Sequence, residues 1–317
     1  MKEIKIKGKY NTAICYANVV DEGAIEQVKR MCNFPMTEGS KIRIMPDVHA
    51  GKGCTIGTTM TVVDKVVPNV VGVDIGCGMY TVNLGKVDID FQKFDAVAHY
   101  IPSGMNAWKK PVEDFDLTRL RCYPDLQKCN WLAKSLGTLG GGNHFIEIDR
   151  ISDNTYMLAV HTGSRSLGLN ICKYFQRHGS VIDEELKSNL IAKHRTATTP
   201  EEHISIQNEV NSLPSVREEL AYISDDMYDS YVSCMLNAMH YAYANRTCIS
   251  DEIMNYITAS ENAEAEFLLK KKYNVLIHEL LYLHLFCYLQ NYPKAFLVIS
   301  HDESFLEDIA NVVLAFE

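Results

Sequence analysis

No run of about 18 consecutive apolar residues occurs in the 317-residue sequence, so a membrane-spanning helix is not expected. A secretory leader is not expected either: Met1-Lys-Glu-Ile-Lys-Ile-Lys7 alternates charged and apolar residues and reads as a strand. Positive charge is in deficit. The net charge of −9 argues against indiscriminate binding to nucleic acid and confines any RNA contact to a local basic patch that salt would weaken. Cysteine pairs are lacking too, since none of the ten cysteines stands in a CxxC motif. Scattered thiols in a long chain without a leader point to a reducing, cytoplasmic setting in which most cysteines are small core residues. Repeats and low-complexity segments are not found.

What the chain does have is apolar content: 47% of its residues are hydrophobic, enough to bury a sizeable core as one large domain or two ordinary ones. The first half reads as strands separated by glycine-rich turns. Strands are predicted at Lys41–Met45, ending at Pro46, and at Thr58–Val63, Val70–Val73, Met79–Leu84, Phe145–Ile148 and Tyr156–Val160. The polar stretch 104–116 reads as a loop and Asp125–Leu136 as a helix. A further helix is predicted over Ser164–His178, with Ser164 or Ser166 placed to cap it. The second half is mostly helical: Asp183–His194, Pro200–Leu213, and a long stretch, Val216–Met254, with apolar residues at helical spacing that include Leu220, Ile223 and Tyr231. Beyond residue 260 come a charged segment, 261–272, an apolar one, 275–289, and a strand, 295–299. The fold class expected is α+β: mixed sheets carrying glycine-rich metal and phosphate loops, packed by helices.

Four runs set reactive side chains among glycines. In Met45-Pro-Asp-Val-His-Ala-Gly-Lys-Gly-Cys-Thr-Ile-Gly57, Asp47, His49 and Lys52 sit in a segment whose backbone N–H groups are able to hold phosphate, or which serves as an ordinary connection. In Val71-Gly-Val-Asp-Ile-Gly-Cys-Gly-Met79, Asp74 and Cys77 are spaced to converge on one ion across a turn; the alternative is a turn cap and a core thiol. In Gly137-Thr-Leu-Gly-Gly-Gly-Asn-His144, Asn143 suits a phosphate or nucleobase and His144 a metal. In Ala159-Val-His-Thr-Gly-Ser-Arg-Ser-Leu-Gly168, His161 ends a strand while Ser164 and Arg165 open a helix, an arrangement fit for an anion or simply for a cap. One carboxylate, one thiol and two imidazoles suit a catalytic transition metal better than magnesium, and both zinc and manganese are compatible with them.

On these residues the chain resembles the RtcB family of RNA-splicing ligases. The likeness rests on Pro46-Asp-Val-His-Ala-Gly-Lys-Gly, Val71-Gly-Val-Asp-Ile-Gly-Cys-Gly-Met, Leu136-Gly-Thr-Leu-Gly-Gly-Gly-Asn-His-Phe-Ile-Glu, His161-Thr-Gly-Ser-Arg-Ser-Leu-Gly and Ala242-Tyr-Ala-Asn-Arg246, in that order over residues 1–258. It implies GTP- and manganese-dependent joining of RNA 3′-phosphate or 2′,3′-cyclic phosphate ends to 5′-hydroxyl ends, through a guanylylated histidine. It also implies metal ligation by Asp74, Cys77, His144 and His161, a nucleotide contact at Asn143 and a phosphate contact at Arg165. The family's later His-Asn-Tyr, Arg-Lys-Gly-Ala and His-Gly-Ala-Gly-Arg motifs do not occur, and His278, His284 and His301 stand in other contexts. The nucleophile is therefore unassigned. Residues 289–306, ending Ser-His-Asp-Glu-Ser-Phe-Leu, resemble instead the end of an ATP-binding-cassette ATPase domain, although no Walker A motif is present. The expected organisation is a ligase-like portion, 1–258, followed by a divergent or fused tail, 259–317.

Overall fold

The computed structural model describes residues 4–51, 55–61, 64–152, 155–181, 184–213 and 220–258. These residues form an α+β fold with several sheets. In chain order its elements are β1 (Ile4–Lys7), β2 (Thr12–Cys15), α1 (Glu22–Cys32), β3 (Ile42–His49), β4 (Ile56–Met60), β5 (Lys65–Val66), α2 (Pro68–Val71), β6 (Gly78–Lys86) and α3 (Phe91–Tyr100). There follow α4 (Cys129–Ser135), β7 (Phe145–Ser152), β8 (Thr155–Thr162), α5 (Ser166–Arg177), α6 (Glu184–Thr196), α7 (Pro200–Asn211), β9 (Ile223–Ser224) and α8 (Asp225–Thr258). Among the described residues no helix is long and apolar enough to cross a membrane. The segments 261–272, 275–289 and 295–299, the ATPase-like stretch 289–306, Lys52, Cys54 and Cys287 lie outside the described residues.

The chain divides into two compact units. The first joins Met1–Gly72 to Phe175–Asp229. It holds a four-stranded sheet of order β1-β2-β3-β4 and the two-stranded pair β5-β9. Helix α1 is capped by Asp21, whose carboxylate accepts from the Ala24 N–H at 2.8 Å. Its buried face (Ala24, Val28, Met31, Cys32) joins Ile6, Ala13, Cys15, Ile42 and Ile44 of the sheet in one apolar core. Among the described residues, the second unit joins Val73–Tyr174 to 230–258. Its three-stranded antiparallel sheet has the order β6-β8-β7, and Tyr80, Val82, Leu158 and Val160 pack there with Ile249 and Ile253 of α8.

Several expectations are corrected. Strand β3 runs through Pro46 to His49 instead of ending at the proline. A register shift between Ile44 and His49 accommodates the missing N–H, as a bulge does. The predicted strand Val70–Val73 is replaced by the single turn α2, because Pro68 at its first position presets helical φ and outweighs the β-branched side chains. The helix predicted at Asp125–Leu136 shortens to α4, behind a 3-10 turn at Tyr123–Asp125 that contains Pro124. The long helix begins at Asp225, with Ile223 in β9. The Ser164 hydroxyl finds no partner among the described residues and so does not cap α5. The other predicted strands and helices of the described chain form close to their expected bounds. Of the described cysteines, Cys15, Cys32, Cys122, Cys172 and Cys234 are buried thiols, as expected of small core residues.

Candidate metal centre

The site is a consequence of sheet register. On the central strand β8, His161 lies opposite Met79 of β6 and opposite Phe145 of β7. The residues that just precede those two strands, Cys77 and His144, therefore gather around His161 at one end of the sheet. Asp74 joins them from the turn before β6, closed by the Cys77 N–H donating to the Asp74 carbonyl at 3.0 Å. The metal-binding atoms of Asp74, Cys77 and His144 all lie within 4.8 Å of one another. His144 Nε2 is 2.9 Å from Asp74 Oδ2 and 3.6 Å from Cys77 Sγ. His161 attaches through the thiol, its Nε2 lying 3.3 Å from Cys77 Sγ. All four sequence candidates thus meet, three as a compact triad and the fourth on Cys77.

Each ring is oriented by backbone. His144 Nδ1 donates to the Leu139 carbonyl at 2.9 Å, which turns Nε2 toward the cluster. The His161 ring is bonded to the Asn143 carbonyl. Burial and the neighbouring His144 lower the His161 pKa and favour its neutral, ligating form. Burial works against the Asp74 carboxylate, but hydrogen bonds from His144 and Cys77 and the backbone of Ser164 outweigh it and hold its pKa below the ordinary range. The Cys77 thiol is pushed up to about 12, first by burial and then by the Asp74 charge beside it. An oxygen, a sulfur and a nitrogen thus lie close enough together to share one divalent cation. The donor set fits a borderline transition ion.

Glycine makes the approach possible. A Cβ on Gly163 would overlap both Asp74 carboxylate oxygens. At Gly140, where φ is +85°, a Cβ would overlap the Arg165 guanidinium. Arg165 itself holds a left-handed φ of +56°. It donates from Nε to Thr138 Oγ1 at 2.9 Å and from Nη2 to the Gly104 carbonyl at 2.6 Å, with its guanidinium over the Trp131 ring. Burial lowers its pKa. Asn143 is exposed at the tip of the glycine loop. In the first unit, Asp47 and His49 are exposed on β3, and the His49 ring is bonded to the Asp47 carbonyl at 3.0 Å.

Sequence reasoning left three supporting residues without a role. Arg246 of α8 is buried and donates from Nη1 to the carbonyls of Gly76, at 2.7 Å, and Thr162, at 2.6 Å. It ties the Cys77 loop to the His161 strand. Asn245 bonds Thr138, Thr162 Oγ1 and the Gly163 carbonyl. Thr162 Oγ1 donates to the Leu139 carbonyl at 2.7 Å. The available signal was an Asn-Arg pair among small residues in an otherwise apolar helical stretch, where a polar pair needs partners.

The fold and site define a protein with a partly buried carboxylate–thiol–imidazole cluster, able to hold a metal ion, at one end of an antiparallel sheet. A family model described as "tRNA-splicing ligase RtcB" matches residues 27–122 and 127–283, and the chain belongs to the RtcB family. It is 29% identical over 241 residues to the RNA-splicing ligase RtcB of Escherichia coli strain K12, an alignment that covers 67% of this chain and 52% of the relative. To the tRNA-splicing ligase RtcB of Methanococcus maripaludis it is 23% identical over 316 residues, covering 81% of this chain and 61% of the relative. The chain thus spans about half to three-fifths of these relatives' length. The family match runs to residue 283, past the last quoted motif, which ends at Arg246, and stops before the ATPase-like stretch that begins at 289.

Proposed function

We propose that this chain carries the metal-binding portion of a GTP- and manganese-dependent RNA ligase, which joins 3′-phosphate or 2′,3′-cyclic phosphate ends to 5′-hydroxyl ends in tRNA splicing or RNA repair. The observation that supports it is the convergence of Asp74, Cys77, His144 and His161 at one sheet end of an RtcB-family chain. These four residues would hold manganese. A bound cation of this kind neutralises phosphate charge and aligns in-line attack. Exposed Asn143 is the contact for the guanine nucleotide, and Arg165, already fixed by Thr138 and Gly104, is the contact for a phosphate of nucleotide or RNA. Broken or spliced RNA ends are the partners, and the cytoplasm is the setting. We assign 1–258 to the ligase portion and 259–317 to a divergent or fused tail.

One observation favours a second reading. None of the 11 histidines stands in the family's His-Gly-Ala-Gly-Arg motif, so this chain binds metal and nucleotide without forming the guanylate adduct. Incubation with labelled GTP and manganese, followed by denaturation, separates the two. Label retained covalently supports ligation by this chain. Manganese and GTP bound without a covalent label supports the second reading, and the absence of bound manganese sinks both.

A further inference from the structure

A chain of net charge −9 repels RNA unless its positive charge is gathered locally. Two segments of the second unit gather it. Residues 96–112 and 126–146 carry Lys109, Lys110, Lys128 and Lys134 and no Asp or Glu. The fold lays the two segments against each other. The Trp108 N–H donates to the Lys134 carbonyl at 3.0 Å, the Leu139 N–H to the Pro102 carbonyl at 2.9 Å and the Gly104 N–H to the Gly140 carbonyl at 2.7 Å. Both indoles are pinned across the same seam: Trp108 Nε1 donates to the Gly137 carbonyl at 3.0 Å and Trp131 Nε1 to the Met105 carbonyl at 3.2 Å. Lys109, Lys110 and Lys128 are exposed and Lys134 is half-buried. Among the described residues none of the four ammonium groups has an ion pair. The carboxylates that flank the first segment are engaged, Asp95 with His99 at 3.4 Å and Glu113 with the Cys248 thiol at 3.2 Å.

The same segments expose large apolar side chains. Tyr100 is 63% exposed, with its ring 5.3 Å from that of Trp108, and Met105 is 67% exposed. Unpaired cations beside an exposed aromatic ring are what a single strand requires: the cations hold its phosphates and the ring stacks a base. The seam leads to the metal centre. Leu139, held by Pro102 through its N–H, accepts from His144 Nδ1 through its carbonyl at 2.9 Å, and Arg165 donates to the Gly104 carbonyl. We propose that Tyr100, Met105, Lys109, Lys110, Lys128 and Lys134 form the surface that docks the single-stranded RNA leading to the terminal 3′-phosphate. This rests on the ligase reading, in which Arg165, at the inner end of the seam, meets a phosphate. A duplex fits the surface less well, because its bases already stack on and pair with one another.

The test is fluorescence anisotropy of the full chain with a labelled single-stranded uridine oligomer ending in 3′-phosphate, titrated at several salt concentrations. Tyr100→Ala should weaken binding at least about fivefold, the loss of one stacked base. The double variant Lys109→Gln/Lys110→Gln should weaken it and reduce the slope of log affinity against log salt by about 1.4, or about 0.7 for each lysine on a single strand. Lys5→Gln/Lys7→Gln, which removes two exposed charges from β1 in the first unit, should change neither. Manganese affinity should stay at the wild-type value in Tyr100→Ala and in the double variant, showing that the fold and the metal centre survive. Wild-type RNA affinity in both of these variants, an equal loss in Lys5→Gln/Lys7→Gln, or equally tight binding of a duplex overturns the proposal. A chain that holds manganese but no RNA overturns it too and leaves the metal-centre reading standing, whereas RNA bound as expected without manganese sinks that reading and upholds the docking surface.

Discussion

Asn245 and Thr138 form a reciprocal pair: the Thr138 N–H donates to Asn245 Oδ1 at 3.0 Å, and Asn245 Nδ2 donates back to the Thr138 carbonyl at 3.1 Å. Both residues are fully buried. The pair fixes the loop leading to His144 against α8, and the same amide reaches Thr162 Oγ1 and the Gly163 carbonyl beside His161. Asn245→Ala strands the Thr138 N–H and C=O without water. At about 1–3 kcal/mol for each unsatisfied group, the loss should be about 2–6 kcal/mol. A urea-unfolding free energy that falls by less than about 0.5 kcal/mol, with the slope unchanged, would show that the pair is not holding the loop.

Gly163→Ala should damage the metal centre without touching a ligand. The new methyl overlaps the Asp74 carboxylate, and the nearest relief is displacement of that carboxylate from His144. Manganese affinity should fall by at least about tenfold, equivalent to 1.4 kcal/mol of binding. Manganese titration read by electron paramagnetic resonance measures it; wild-type affinity in a folded variant contradicts the crowded geometry.

Cys77→Ala removes the group that bridges the triad to His161. Manganese affinity should drop sharply, again by at least about tenfold. The variant leaves only a small cavity at a partly exposed position, so its fold should survive. Unchanged manganese binding would sink the shared metal-site reading for all four residues.

The reactive members of this site were legible in the sequence because each stands beside glycines at a strand end, where a side chain is free to face a ligand. Asp74, Cys77, His144 and His161 belong to three separate runs, and the antiparallel register of β6, β8 and β7 brings them together. Arg246 and Asn245 were not legible as part of the site. Their partners are backbone carbonyls and an N–H, which carry no residue identity, and the two residues lie far along the chain on α8. Local propensity also misled where backbone constraint overrode it. Val70 and Val71 favour a strand, yet Pro68 starts a turn of helix. Pro46 should end a strand, yet a bulge carries β3 past it.

The start of α7 should carry a pH dependence of its own. Thr199 Oγ1 accepts from the Glu202 N–H at 3.2 Å, and the Glu202 carboxylate accepts from the N–H groups of Thr198, at 2.9 Å, and Thr199, at 3.2 Å. Those backbone bonds hold the Glu202 pKa below its ordinary value of 4.5. A carboxyl whose folded pKa is depressed contributes stability that is fully present above the unfolded value and is lost as pH falls through the folded one. Exchange protection of the first-turn amides of α7, corrected for intrinsic rates, should therefore be flat above pH 4.5 and decline below it. Glu202→Gln should lower the plateau and remove the decline, whereas Glu201→Gln should preserve both. A decline centred above pH 4.5, or one that persists in Glu202→Gln, assigns the titration to another group.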